Sequence, residues 1–357
     1  MTPQEKLKIL KTVGEEIVTE EELLKLLSEK EHPVAYDGFE PSGLAPIHFG
    51  LLRARNVKKL QKAGVRMILY LGDYFGYINN KLGGDLQKIR KAGEYFVHVW
   101  RACGIDTSKV EVIWARDLMN RVEYWERVLT VAKNLTINRT IKSLTIAGRF
   151  QKDKLTTAQY FYPSMQVADI FELKVDICQL GMDQRRANML GREVAGKMGW
   201  QKPIPIHHHI LLGLKGIQKG KDAEETLVKS KMSKSDPSSC IYMHETKETL
   251  EKKIQSAFCP PKQVEGNPVL EYCHYILFEE NESLTVERSQ KYGSNKTYKT
   301  YATLEKDYAE GLLHPADLKT MVAQELEKLV KPVREYFEKN KEAKKLYEEV
   351  KSYQTTR

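Results

Sequence analysis

Residues 34–71 read VAYDGFEPSGLAPIHFGLLRARNVKKLQKAGVRMILYL, and this stretch decides the fold. The apolar run Val34–Phe39 gives way to the turn-forming sequence Glu40-Pro41-Ser42-Gly43. A helical segment follows from about His48 to Lys62, and then a compact apolar run, Val65 to Leu71, with the length of a buried strand. Strand, turn, helix and strand in that order make a βαβ unit, the building block of a parallel sheet.

The alternation continues on both sides. Upstream, the first thirty residues read as helix, with Thr19 and Glu22 at capping-box spacing ahead of Leu23, Leu24, Leu26 and Leu27. Downstream come a helix at about 86–102, a strand at 110–114, a helix from about Arg121, a strand at 175–180 and a helix at 183–198. Short apolar strands between amphipathic helices predict an α/β, Rossmann-like parallel-sheet domain. Ligands of such sheets bind at the carboxyl ends of the strands. From Lys215 to Lys234 the chain carries six lysines and three acids, which predicts a mobile solvated loop. The segments 246–258, 314–330 and 333–353 have helical periodicity and many Lys/Glu pairs. The expected organisation is a catalytic domain over 1–235, with an inserted connective segment at about 115–165, and a mainly helical domain over 236–357.

Composition excludes several classes. The chain has 357 residues, 41% hydrophobic and 29% charged, with a mean hydropathy of −0.50, as in ordinary globular proteins. No apolar run approaches the ~20 residues of a membrane span, and MTPQEKLKILKTVGEE lacks the features of a secretion signal. Five scattered cysteines without a CxxC pair fit reduced thiols in the cytoplasm. A net charge of +9 is compatible with a nucleic-acid partner but does not require one.

Three constellations carry chemistry. His48-Phe49-Gly50 opens a helix, where backbone N–H groups and the helix dipole attract phosphate and Gly50 leaves room for a flat base or ribose; alone, it fits an ordinary helix start as well. Lys231-Met232-Ser233-Lys234-Ser235 places two lysines three apart, able to close over polyphosphate where negative charge develops; its plainer reading is a solvated charge run. Tyr162, Gln166 and Asp169 fall at i, i+4 and i+7, so a helix would put them on one face, either to meet an amphipathic ligand or to support the helix. His207-His208-His209 alternate faces in an extended strand with no nearby carboxylate or cysteine in sequence, which argues against zinc.

Together these motifs resemble the class I aminoacyl-tRNA synthetases: His48-Phe49-Gly50 matches the HIGH signature and 231–235 the KMSKS loop. Tyr36-Asp-Gly-Phe-Glu-Pro-Ser-Gly43, Tyr162–Ile170 and Gly181–Leu190 are similar to the tyrosyl-tRNA synthetases of archaeal and eukaryotic type. The resemblance covers about residues 30–330. It implies adenylation of L-tyrosine by ATP with Mg²⁺, and transfer of the tyrosyl group to tRNA(Tyr) by a cytoplasmic homodimer. It places Tyr36 and Asp169 at the substrate hydroxyl, with Gly38 in the same pocket. Tyr162, Gln166 and Glu40 fall at the α-amino group, and Gln184 at the carboxylate. Gly181, Asp183, His48, Gly50, Lys231, Met232, Ser233, Lys234 and Ser235 fall at ATP, with His48, Gly50, Lys231 and Lys234 as the catalytic group. Tyr292, with His314 and Asp317 of His314-Pro-Ala-Asp317, resembles the anticodon-reading residues, an aromatic and a carboxylate suited to an unstacked guanine.

The sequence departs from the family pattern in three places. Leu51 replaces the final histidine of the HIGH signature, four residues separate Gly43 from His48 where two are usual, and Phe75 stands where relatives often carry histidine. Two other classes remain open to the sequence: a synthetase-like binding module, and an adenylyltransferase that never touches tRNA.

Overall fold

The computed structural model describes residues 1–149, 153–234, 236–288 and 294–354. Ser235 and the Lys291-Tyr292-Gly293 motif lie outside the described residues. By its internal contacts the chain forms two compact units. One comprises 1–43, 55–210 and the stretch from Glu349, and the other 44–54 with 211–348.

The first unit is built on six strands: β1 Glu16–Ile17, β2 Val34–Phe39, β3 Arg66–Leu71, β4 Val110–Trp114, β5 Ile177–Gly181 and β6 Ile204–His208. Their order in the sheet is β1-β6-β5-β2-β3-β4, with β2 to β6 parallel and β1 antiparallel to β6. All residues of β5 and β6, and all but the first of β3, are buried, because helices cover both faces and leave no polar side. The chain steps from β2 to β3 and β4, then crosses back to β5 and β6. The carboxyl ends of β2 and β5 therefore flank the topological switch, where such sheets open a crevice.

The expected βαβ unit forms, with two local differences. The N-terminal region is two helices, Pro3–Leu10 and Glu20–Glu29, separated by β1. Here Glu15 N–H and Val18 N–H donate to His207 and Pro205 carbonyls at 2.8 and 3.0 Å, drawing the chain to the sheet edge. Thr19 caps the second helix through Glu22 N–H (3.2 Å), but the Glu22 carboxylate pairs with Arg192 (2.8 Å) instead of returning to the cap.

In the second unit, Pro46 bridges Tyr242, Ile47 N–H donates to Ile241 O, and Met243 N–H to Ala45 O, both at 2.9 Å. The added residues between Gly43 and His48 are taken up by this pairing. The division between the units therefore falls at 210/211 and not at the expected 235/236, and the His48 segment groups with the later part of the chain. The lysine-rich loop is also not plain coil. Asp222 caps a helix, Ala223–Ser230, by accepting from Glu225 N–H at 2.8 Å, and Gly213 N–H donates to Ser230 O at 2.7 Å. Downstream, helices Lys247–Ser256, Pro268–Tyr272, Tyr301–Glu310 and Pro315–Lys339 dominate. One small antiparallel ladder, Leu284–Val286 with Lys296–Tyr298, breaks the helical run.

Candidate active site

Helix Thr157–Glu172 supplies one side of a buried cluster of aromatic and polar side chains. Tyr162 and Asp169 are buried on it and Gln166 is half-buried. Seven residues of helix separate the first from the last by about 10 Å, so the face offers two distinct ends.

One end is aromatic and acidic. Tyr124, on helix Val122–Lys133, donates its hydroxyl to Asp169 Oδ1 at 3.0 Å. Tyr36 on β2 and Tyr70 on β3 are also buried here, and neither hydroxyl completes a hydrogen bond. Burial lifts the Asp169 carboxyl to about 8, against the lowering effect of the Tyr124 and Tyr70 hydroxyls, while Glu172 pushes it further up. Burial likewise raises the Tyr36 phenol, with Cys178 and Asp169 adding to the effect. Buried hydroxyls without partners cost about 1–3 kcal/mol each. This end therefore holds two buried phenol oxygens whose hydrogen-bonding capacity the chain itself leaves largely unfilled.

The other end is anionic. Glu40, just after β2, accepts the Tyr162 hydroxyl at 2.5 Å and the Asn79 amide at 3.2 Å, with Lys81 Nζ 3.6 Å away. Asn79 is itself pinned by Ala147 O at 2.9 Å and Arg149 Nε at 2.7 Å. Gln166 Nε2 donates to Gln184 Oε1 at 3.0 Å, and Gln184 Nε2 to Ile146 O at 3.0 Å. Phe75 lies between the ends, edge-on to Tyr162 at 4.8 Å, and so forms an apolar wall where a histidine would bring a charge.

Sequence reasoning brought Tyr36, Glu40, Tyr162, Gln166, Asp169 and Gln184 together, and the fold does the same. It missed Tyr124, Tyr70, Asn79 and Lys81. The polar tyrosine inside the apolar run of β3 was the only sequence signal that could have found Tyr70. Gly38 faces Tyr70 across the β2–β3 register, and a Cβ there would sit 3.6 Å from the Tyr36 ring. Gly181 ends β5, where a Cβ would come within 2.7 Å of Asp183 Oδ1 and 2.4 Å of Ile210. The space that a side chain would need there is thus taken by the chain's own Ile210 and Asp183, where β5 turns toward its helix.

The second unit holds His48, Gly50 and Lys231–Lys234. His48–Leu52 is one π-helical turn running into helix Arg53–Lys62. The space over Gly50 is filled by Met243, whose Sδ would be 2.5 Å from a Cβ. The expectation that Gly50 leaves room for a flat base is not met by this arrangement, since a buried side chain of the chain itself takes the room. Leu212 bridges Lys231, Met232 is buried, and Ser233 N–H donates to Ser239 Oγ at 3.4 Å. His314 caps helix Pro315–Lys339 by accepting from Ala316 N–H at 3.2 Å, which places Asp317 in its first turn.

The histidine triplet does have carboxylates nearby, contrary to the sequence reading. They come from the paired strand β1: Glu16 meets His207 Nδ1 at 2.8 Å and Glu15 meets His209 Nδ1 at 2.5 Å. His208 Nδ1 faces Gln179 Nε2 at 2.7 Å, so the three rings engage three separate partners. Among the described residues no group of three or more His, Cys, Asp or Glu is placed to hold a metal ion, and no helix is long and apolar enough to cross a membrane. None of the five cysteines forms a disulfide.

Residues 28–331 match the family model of tRNA synthetases class I (W and Y). Cytoplasmic tyrosine–tRNA ligase 1 of Arabidopsis thaliana is 44% identical over 99% of this chain and 90% of its own length. The tyrosine–tRNA ligase of Thermococcus kodakarensis is 41% identical over 96% of this chain and 97% of its own. Among solved structures, tyrosyl-tRNA synthetase from Pyrococcus horikoshii complexed with L-tyrosine matches with a TM-score of 0.90 at 37% identity, over 98% of this chain and all of that one. A buried cluster with a tyrosine-rich acidic end and a second carboxylate end, on this fold and with these relatives, leads to one conclusion: the chain belongs to the class I tRNA synthetase (W and Y) family, among its tyrosine–tRNA ligases of archaeal and eukaryotic type.

Proposed function

We propose that the chain joins L-tyrosine to ATP, giving tyrosyl-adenylate and pyrophosphate, and then transfers the tyrosyl group to the 3′-terminal ribose of tRNA(Tyr). The observation that carries this reading is the two-ended cluster. Tyr36 and Asp169 take the substrate hydroxyl, while Glu40, Tyr162 and Gln166 surround its ammonium group, with Gly38 giving close backbone approach. Gln184 orients the carboxylate. Phenylalanine would leave the Tyr36 hydroxyl buried without its partner and one acceptor position of Asp169 unfilled, and rejection by about 10⁴–10⁵ is a general figure for which tyrosyl-tRNA synthetases are themselves the source.

The substrate carboxylate is ionised at neutral pH, so its attack on the α-phosphorus needs no general base. Alignment and charge stabilisation supply the acceleration. His48, Lys231 and Lys234 are the donors assigned to the phosphates, with Gly50, Met232, Ser233 and Ser235 completing the ATP-binding segments and Gly181 with Asp183 holding the ribose. Mg²⁺ comes with ATP, since it keeps several waters and takes phosphate oxygens without a dedicated protein cage.

Tyr292, His314 and Asp317 are assigned to the anticodon, in a 236–357 region that reads tRNA. The 115–165 region is assigned to a homodimer contact. Val122, Trp125 and Leu129 lie on one face of their helix and are 72%, 39% and 63% exposed, an apolar stripe suited to a second copy. The cytoplasm is the assigned compartment, in keeping with the reduced thiols. Tyrosine-dependent ATP–pyrophosphate exchange followed by tRNA charging tests the reading. A folded, tyrosine-binding chain without exchange would sink it in favour of a binding module, and exchange without charging would favour a tRNA-independent adenylyltransferase.

A further inference from the structure

Tyr70 has no place in the scheme above. It sits on β3 opposite Gly38, and it packs at 6.3 Å against Phe75. The residue is buried and its hydroxyl completes no hydrogen bond of good geometry, although it lies close enough to Asp169 to help hold that carboxyl down. Asp169, Tyr124 and Tyr36 all act on that hydroxyl electrostatically, so it stands at the tyrosine-rich acidic end of the cluster. Two tyrosine hydroxyls there, Tyr36 and Tyr70, are therefore buried without a well-formed hydrogen bond, near a carboxyl group already engaged by Tyr124.

Counting donors and acceptors gives them a common partner. A phenol offers one O–H donor and two acceptor lone pairs. A substrate hydroxyl that donates to Asp169 can accept from two further hydroxyls. We propose that Tyr70 is a specificity-determining residue for tyrosine, donating its hydroxyl to the para-hydroxyl of the substrate alongside Tyr36. The ligand oxygen then makes three hydrogen bonds, and a ligand without it leaves the two tyrosine hydroxyls without that partner and one acceptor position of Asp169 unfilled. This rests on the tyrosine-activation reading and extends it by one contact.

The test is Tyr70→Phe, which keeps the ring packed on Phe75 and removes only the oxygen. Pyrophosphate exchange is measured with L-tyrosine and L-phenylalanine at pH 7 and pH 9. For one neutral hydrogen bond, the ratio of kcat/KM for tyrosine over phenylalanine should fall roughly tenfold at both pH values, with Tyr36→Phe giving a loss of similar size. An unchanged ratio, or equal losses for both amino acids, would overturn the proposal. The groups acting on Asp169 are Tyr124, Tyr70 and Glu172, and a Tyr70 hydroxyl serving only to keep Asp169 ionised would lose its effect at pH 9. A loss confined to pH 7 would thus also overturn the direct contact. Absence of exchange in the unmodified chain would instead strike the reading on which the proposal rests.

Discussion

The tyrosine pocket and the His48-Phe49-Gly50 turn carry motifs of the same family, yet they are built under different rules. Tyr162, Gln166 and Asp169 are held by one regular helix, so their spacing alone determines that they share a face. The His48 turn follows added residues, and its path is set by backbone pairing with 241–243 instead of by its own periodicity. Spacing predicts contacts where a regular element holds the residues. Where a distant segment holds them, it predicts only that a turn exists.

The largest effect is expected at the pocket. Asp169→Asn should lower the tyrosine over phenylalanine ratio by roughly 10³ or more, because the carboxyl group that receives the substrate hydroxyl is replaced by an amide that sets an N–H donor against it. The same variant has a stability signature of known sign. In the folded chain Asp169 keeps its proton to about pH 8, well above the ordinary 3.8. Between those values the folded state binds the extra proton, so this group makes the protein less stable as pH rises. The asparagine variant should therefore gain in Tm over the parent from pH 5 to pH 8, in paired thermal melts. A Tm difference that stays flat over that range would mean that Asp169 ionises without cost and that the pocket is wetter than its burial implies.

Much of the pocket was legible because strands and helices were. The runs at 34–39, 65–71 and 110–114 became β2, β3 and β4 nearly residue for residue, since short apolar segments between amphipathic helices have few alternatives. Tyr124 was not legible. It reaches Asp169 from a separate helix, and nothing local distinguishes a tyrosine that will pair across 45 residues from one that packs. The same holds for Glu15 and Glu16, whose approach to the histidine triplet depends on β1 joining the sheet edge. The helix Ala223–Ser230 was obscured by its lysines, although Asp222 three residues before Glu225 was a cap signal in plain view. Gly50 was readable as a close-approach site, but not what approaches it.

A middle-sized effect is expected in the lysine segment. Lys234→Ala should lower the exchange kcat by roughly 10², while the KM for tyrosine stays within about twofold, as for an interaction made mainly in the transition state. A rise in KM with kcat unchanged would assign the lysine to ground-state binding. It would also make this region a recognition element like the pocket, removing the functional side of the contrast.

The smallest effect tests the packing of the turn itself. A Cβ at Gly50 would meet Met243 Sδ at 2.5 Å and Cγ at 2.8 Å, and Met243 is fully buried. Methionine is flexible enough to move in part, so Gly50→Ala should cost about 1–3 kcal/mol, the usual range for overpacking. Met243→Ala alone should be destabilising through the cavity that it leaves. In that background the added methyl group enters open space, and alanine is also the better helix former. Gly50→Ala should therefore be neutral or stabilising there. Denaturant melts of the two single variants and the double variant close the cycle. Equal costs of Gly50→Ala in both backgrounds would mean that Met243 does not fill this space. The glycine would then be free for the flat base that the sequence pattern suggests, and the turn would follow the same rule as the pocket.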